Sequence, residues 1–477
     1  MLVKGEGKEK VLIVDDTYGM QSITGKTEEF FKRLVSRIKD PKTGQAFDLA
    51  RDFWHSNVSS EVIRLKQPKV IVAVGAGAFQ MLVGEFRNWK GKVVGIDELR
   101  GFVFDGPGKI PVIGTYPPSY IVSGNFHLSR VSQLDILRGI EIARQGRPTR
   151  LARYILHPTV FDAKRFQDTY EEALAKDSNL PLAFDIETPY SSKAEKDEDP
   201  YEFEIEDDVS YTVLRISFAF KEDEAITFSW VEPFISISRR LLASAGPKIS
   251  FNGIAYDIPR LEASGIPILG DQIDGMHLWK CYEPAFPMSL RFVVSLTLPD
   301  ADQWKLKVKE NEELYSCKDS DYLLRAYNKI KAKLEESGRW EMFLRHFVKC
   351  GTVLKRMSRR GVKVNLAARQ EARERIEGWV NEKIAEIQPL VPMALRPKKL
   401  FKLGLETLLK KGLKREDLIL VPGQIPELPK NKVLTEELLL VSAPKPLKKK
   451  RIVKSAEPKA RRKQSSSESS SKKASEL

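Results

Sequence analysis

The chain has 477 residues, 42% hydrophobic and 30% charged, with a formal net charge of +14; this apolar content supports substantial cores in about two to four domains. Cys281, Cys317 and Cys350 show no C-x-x-C spacing, so neither a disulfide framework nor a sulfur-ligated metal site is supported. No apolar run approaches about 18 residues and MLVKGEGKEK has no apolar signal core, so the expectation is no membrane insertion, no secretion and a cytoplasmic, intracellular setting.

In chain order, residues 1–150 alternate short apolar strands, at 10–16, 69–75, 92–97 and 110–116, with helices at 27–38 and 77–84. Such alternation predicts an α/β domain with a parallel sheet. The basic link ARQGRPTRLARY leads into a second α/β region, 151–340, opening with YILHPTVFD and a helix, then the apolar run of LPLAFDIETPY. Residues 341–440 turn helical, with Ile376, Trp379, Val380, Ile384 and Ile387 spaced along one face. The remaining 441–477 hold 12 Lys/Arg against 3 Glu and much of the serine, a basic Lys/Ser-rich tail expected to be disordered. Most of the positive excess lies in that tail, which would be solvated or tether the chain to a phosphate backbone, unless KKKR acts as a localisation address.

Side chains alternate across a strand, so Asp185 and Glu187 project to the same face. Paired carboxylates repel unless protons or a cation lie between them, and oxygen ligands suit Mg²⁺ or Mn²⁺. Two later stretches add to them. KISFNGIAYDIPRLEASGI has a strand-like start, then Asn252, Tyr256 and Asp257 opening a helix. In LYSCKDSDYLLRAY, Tyr315 and Asp319 are four apart, on one face of a helical turn, whereas Asp321 faces differently and reads as solvated.

These three segments resemble the exonuclease motifs of the proofreading domain of family-A DNA polymerases, within the four-carboxylate (DEDD) superfamily of 3′–5′ exonucleases. D-x-E matches Asp185 and Glu187, N-x-x-x-[FY]-D matches Asn252 and Asp257, and Y-x-x-x-D matches Tyr315 and Asp319. The resemblance implies a ribonuclease-H-like fold with a mixed sheet. Asp185, Glu187, Asp257 and Asp319 would hold two divalent cations, Mg²⁺ or Mn²⁺, about 4 Å apart, one activating a water and the other steadying the departing 3′ oxygen. Tyr315 would orient that water, and Asn252 would bind substrate. The segment 191–210, with nine acidic and two basic residues, departs from the family pattern and is expected to face solvent as an insertion, or to act as a DNA-mimicking regulatory segment.

In the first domain, VIVAVGAGAFQMLVG passes Gly75 and Gly77 but has Gln80 at the third glycine position, so no nicotinamide or flavin cofactor is expected. That stretch and IPVIGTYPPSYIVSGN instead resemble the uracil-DNA glycosylase superfamily, with VLIVDDTYG in place of its first motif. Pro117 stands where that family carries a histidine before Pro-Ser, and Asp15, Asp16, Thr17 and Tyr18 precede Gly19, so glycosylase activity is not expected. FVKCGTVLKRMSRRGVKVN resembles the start of a family-A polymerase half, but no palm aspartates or Lys-bearing triphosphate helix follow, so no polymerase activity is expected either. The order of segments resembles the N-terminal half of a bacteriophage-type family-A polymerase, acting in nucleoid or phage-infected host cytoplasm. Its expected partners are DNA, as single-stranded 3′ ends or primer-template, and a separately encoded polymerase subunit. An RNA-trimming exonuclease of the same superfamily and a non-catalytic DNA-binding polymerase subunit are the alternatives.

Overall fold

The computed structural model describes residues 3–15, 26–88, 91–189, 212–308, 310–387 and 389. Asp16–Gly19 of the glycosylase-like motif, the acidic segment 191–210, residues 390–440 and the tail 441–477 lie outside the described residues. The chain forms two compact units, Met1–Gly361 and Val362–Leu477.

The first sheet comprises β1 (Val11–Asp15), β2 (Phe53–Asn57), β3 (Val70–Val74), β4 (Val103–Asp105) and β5 (Pro111–Thr115), in the order β2-β1-β3-β5-β4. All pairings are parallel except β4 against β5. The continuous apolar runs of β1 and β3 follow from burial on both faces, as helical cover demands. One predicted strand is absent: 92–97 contributes only an isolated bridge, Arg87 with Val93, before the short helix Ile96–Leu99. Val94 is buried but its neighbours are not, so this stretch fills a gap in the core without completing a ladder.

The second sheet is mixed and holds β6 (Arg153–Ile155), β7 (Leu182–Glu187), β8 (Arg215–Lys221), β9 (Glu224–Ser229), β10 (Lys248–Ser250) and β11 (Gln272–Asp274), in the order β11-β10-β7-β8-β9-β6. β7 pairs antiparallel with β8 and parallel with β10. This α/β arrangement is compatible with a ribonuclease-H-like fold. The helix Glu312–Glu336 crosses one face of the sheet. Its start is fixed by Asn311, whose side chain accepts from Leu314 N at 2.7 Å, and by Glu312 and Glu313 at the positive end of the helix dipole.

The two sheets and their covering helices share one core cluster, which includes Val72 and the helical Ile140 from the first region and Ala183 and the helical Leu323 from the second. A buried ion pair tightens the junction: Arg100 donates to Asp135 at 2.9 and 2.6 Å and to Ser295 Oγ at 2.8 Å, while Arg138 donates to the carbonyls of Gly101 and, at 2.6 Å, Ser295. Residues 1–150 and 151–340 therefore fold against each other as parts of one unit. In the second unit the described element is the helix Leu366–Ile387, whose Ile376, Trp379, Val380 and Ile387 are exposed.

Candidate metal centre

The strand β7 separates two chemistries by alternation. Leu182, Phe184 and Ile186 point into an apolar cluster beneath the sheet, leaving Asp185 and Glu187 on the opposite face, each half-buried. The long helix is bolted over that face through β8. Ser217 Oγ donates to Ser316 O at 2.8 Å and Arg215 pairs with Glu313 at 2.6 Å; the register sets Asp185 opposite Ser217 and Glu187 opposite Arg215. One helical turn onward, Asp319 is brought down beside the strand pair. Ligand oxygens of Asp185, Glu187 and Asp319 all lie within 4.8 Å of one another.

Asp257 stands beside this trio and is not part of that close group. It opens the helix Asp257–Ala263, is buried, and accepts from Ile186 N at 3.1 Å, between the two strand carboxylates. The loop ahead of it is tightly determined. Asn252 adopts φ +60°, a left-handed conformation that asparagine tolerates, and Asp274 accepts from the backbone N–H of Asn252 at 2.9 Å and of Ile254 at 3.3 Å. Gly253 is required by packing, since a Cβ there would fall 1.9 Å from Ser250 Oγ. The side chain of Asn252 remains exposed. Tyr256, also exposed, hydrogen-bonds Thr188 at 2.7 Å.

The electrostatics are those of crowded anions. Burial, followed by the charges of Asp319, Glu187 and Asp257, raises the Asp185 carboxyl well above its ordinary range. Burial and then Asp319 push Glu187 up to about 8, with Lys305 opposing. Burial pushes Asp257 up to about 7 against the hydrogen bond from Ile186 N–H. Such a set takes up a cation or holds protons. The donor chemistry fits a hard divalent metal, being all carboxylate oxygen. Glu187 Oε1 is buried with no hydrogen-bond partner among the described residues, an acceptor left for such an ion. Asp185, Glu187 and Asp319 would hold it, with Asp257 adjoining. Tyr315 lies beside them, its hydroxyl kept protonated by burial and by Asp319.

Two residues absent from the sequence reading complete the centre. The short turn Trp304–Leu306 aims Trp304 Nε1 at Asp319 Oδ1 (2.9 Å) and Lys305 Nζ at Asp319 (2.6 and 2.7 Å) and Tyr315 Oη (2.7 Å). No spacing rule links a loop lysine to a motif ten residues away, so no sequence signal marked them. Asp321 needs correction. It is fully buried, accepting from Tyr154 Oη at 2.7 Å and Asp223 N at 2.8 Å, and burial pushes its carboxyl up to about 6. The long helix is covered on this side too, so facing away from Asp319 does not mean facing water.

No family model matches the chain, and no curated protein matches it. Among solved structures the chain is similar to one described as the apo form of a nuclease, at 16% identity over 43% of this chain and 91% of that one, with a TM-score of 0.30. It is also similar to Escherichia coli RNase D, an exoribonuclease involved in structured RNA processing, at 16% identity over 45% of this chain and 51% of that one, TM-score 0.30; the chain thus spans about half the length of that relative. A third is Brucella melitensis NrnC with bound Mg²⁺, at 16% identity over 40% of this chain and 92% of that one, TM-score 0.29.

Proposed function

We propose that the chain is a metal-dependent 3′–5′ exonuclease that hydrolyses DNA from its 3′ ends, the proofreading part of a split family-A DNA polymerase. The observation that carries this reading is the meeting of Asp185 and Glu187 with Asp319, remote in sequence, within 4.8 Å, with Tyr315 alongside. Divalent cations held there would supply Lewis-acid activation of a water and neutralise charge on the phosphodiester. Asp185, Glu187 and Asp319 would hold the cations with Asp257 adjoining, Tyr315 would orient the attacking water through its hydroxyl, and exposed Asn252 would meet the substrate strand. A carboxylate cluster of this kind repels a phosphate backbone unless cations fill it, which favours a catalytic role over a passive clamp.

The first domain is read as a non-catalytic, glycosylase-like module: Pro117 occupies the histidine position and packs beside Gly75, whose Cβ would lie 3.7 Å from it. Its role would be holding DNA or docking a partner, and the region from 341 onward would meet a separately encoded polymerase subunit. Co-purification of the tagged full chain with a polymerase encoded beside it tests the latter; separate elution of the two chains would refute it.

The enzymatic reading is tested with 5′-labelled single-stranded DNA and RNA in Mg²⁺ or Mn²⁺, comparing wild type with Asp185→Ala/Glu187→Ala. A metal-dependent ladder on DNA, lost in the double variant, is expected. A ladder on RNA alone would assign the substrate to RNA, and equal degradation by both proteins would remove the activity from this site.

A further inference from the structure

Lys305 lies inside the carboxylate centre, and nothing in the motif pattern assigns it a role. Its ammonium contacts both oxygens of Asp319 at 2.6 and 2.7 Å and the Tyr315 hydroxyl at 2.7 Å, and it sits 4.5 Å from the centre of the Tyr315 ring. It therefore shares a ligand with any cation held by the trio.

The backbone that delivers Lys305 is fixed from several sides. Trp304 is buried, with its ring edge-on to Tyr322 at 4.8 Å and to Phe102 of the first domain at 6.3 Å. The Gln303 side chain donates to the carbonyl of Glu98, also in the first domain, and Asp302 is held by Lys318 at 2.7 Å and Tyr322 at 2.8 Å. Lys305 itself is less confined: its side chain is 27% exposed and carries its charge on a flexible four-carbon stem. A fixed base with a mobile charged tip can hold Asp319 and still yield one of its oxygens.

We propose that Lys305 is a resident counter-ion and positioning residue of the centre, which competes with a divalent cation for Asp319 and keeps the Tyr315 hydroxyl turned toward the carboxylates. Competition lowers intrinsic metal affinity, since an ammonium touching a ligand carboxylate must be displaced or repelled before the ligand is free. Positioning works in the opposite direction on turnover, because Tyr315 Oη has this ammonium as its hydrogen-bond donor. Removing the charge while keeping the stem should therefore tighten metal binding and slow catalysis at once, a pairing that general loss of structure does not produce. The inference deepens the exonuclease reading but its binding half stands apart from it.

The test uses the full chain as wild type, Lys305→Met and Lys305→Arg. Mn²⁺ alone is titrated by calorimetry, and kcat and KM are measured on 5′-labelled single-stranded DNA at saturating Mn²⁺. Lys305→Met is expected to bind Mn²⁺ roughly tenfold tighter, the effect of removing one like charge at contact distance from a shared ligand, and to lose kcat by roughly tenfold with KM within about twofold. Lys305→Arg, which keeps the charge, should stay close to wild type in affinity. Unchanged or weaker Mn²⁺ binding by Lys305→Met overturns the proposal, as does absence of Mn²⁺ binding to both proteins. If wild type binds Mn²⁺ but cleaves nothing while Lys305→Met binds more tightly, the exonuclease reading fails and the counter-ion role stands. If wild type cleaves and the affinities match, the counter-ion role alone fails. Should Lys305→Met not fold, Lys305→Gln takes its place with the same expectations.

Discussion

Glu187→Gln should stabilise the metal-free protein, although it destroys a proposed metal ligand. Glu187 has its carboxyl pushed from 4.5 up to about 8, by burial first and Asp319 next. The unfolded chain releases that proton near the ordinary value while the folded chain retains it. The resulting penalty is therefore absent below about pH 4.5, grows as pH rises, and is complete above about pH 8. At pH 7 the gap is about 2.5 pH units, which at about 1.4 kcal/mol each sets a ceiling of about 3.5 kcal/mol. Glu187 is only half-buried and shares its charge with its neighbours, so an effect of about 1–2 kcal/mol is expected after screening. Glutamine keeps the shape and removes the charge. Thermal unfolding in chelator at pH 7 should show the variant melting several degrees above wild type, at roughly 2–4 °C per kcal/mol. In excess Mg²⁺ the order should reverse, because the wild type alone gains the full binding free energy. A variant that is less stable than wild type in chelator would refute the crowded-anion reasoning.

Other perturbations follow from the same geometry. Since Asp257 and Glu187 are both raised, to about 7 and about 8, metal-free wild type should lose stability as pH climbs from about 5 to about 8, and Mg²⁺ should flatten that slope; parallel melting curves with and without Mg²⁺ would count against it. Asp321→Ala leaves Tyr154 Oη and Asp223 N without their acceptor and should cost about 2–4 kcal/mol in denaturant unfolding; a change below about 0.5 kcal/mol is what a solvated carboxylate would give. Trp304→Phe, which keeps the ring contacts with Phe102 and Tyr322 but deletes the donor to Asp319, should lower kcat more than it changes melting temperature; equal kcat would deny the indole a part. Because Arg100, Asp135 and Ser295 tie the two sheets together, residues 3–361 should melt in one calorimetric transition, and two separated transitions would show that the domains fold independently.

The parts of this molecule that were legible in its sequence are those whose chemistry demands local spacing. Asp185 and Glu187 must be two apart to share a strand face, and Tyr315 and Asp319 four apart to share a helix face; both relations survive in three dimensions. The doubly buried runs of β1 and β3 announced themselves as unbroken apolar stretches. By contrast β2, FWHSN, is half-buried and carries a histidine and a serine, so its period is faint, and β4 is only three residues long. Residues 92–97 misled in the other direction, since an apolar stretch can plug a core without joining a sheet. Asp321 exposes the limit of helical periodicity: spacing fixes which way a side chain points relative to Asp319, but says nothing of what lies there. Lys305 reaches the centre because its loop is held both by the long helix, through Lys318 and Tyr322, and by Phe102 and Glu98 of the first domain, relations that no local pattern encodes.

Anomalous diffraction from crystals of the full chain soaked in Mn²⁺ measures directly whether the carboxylates gather a cation. The prediction is anomalous density within coordinating distance of Asp185, Glu187 and Asp319, lost in Asp185→Ala/Glu187→Ala crystals. Density confined to other surfaces, with the trio and Lys305 unchanged, would contradict it.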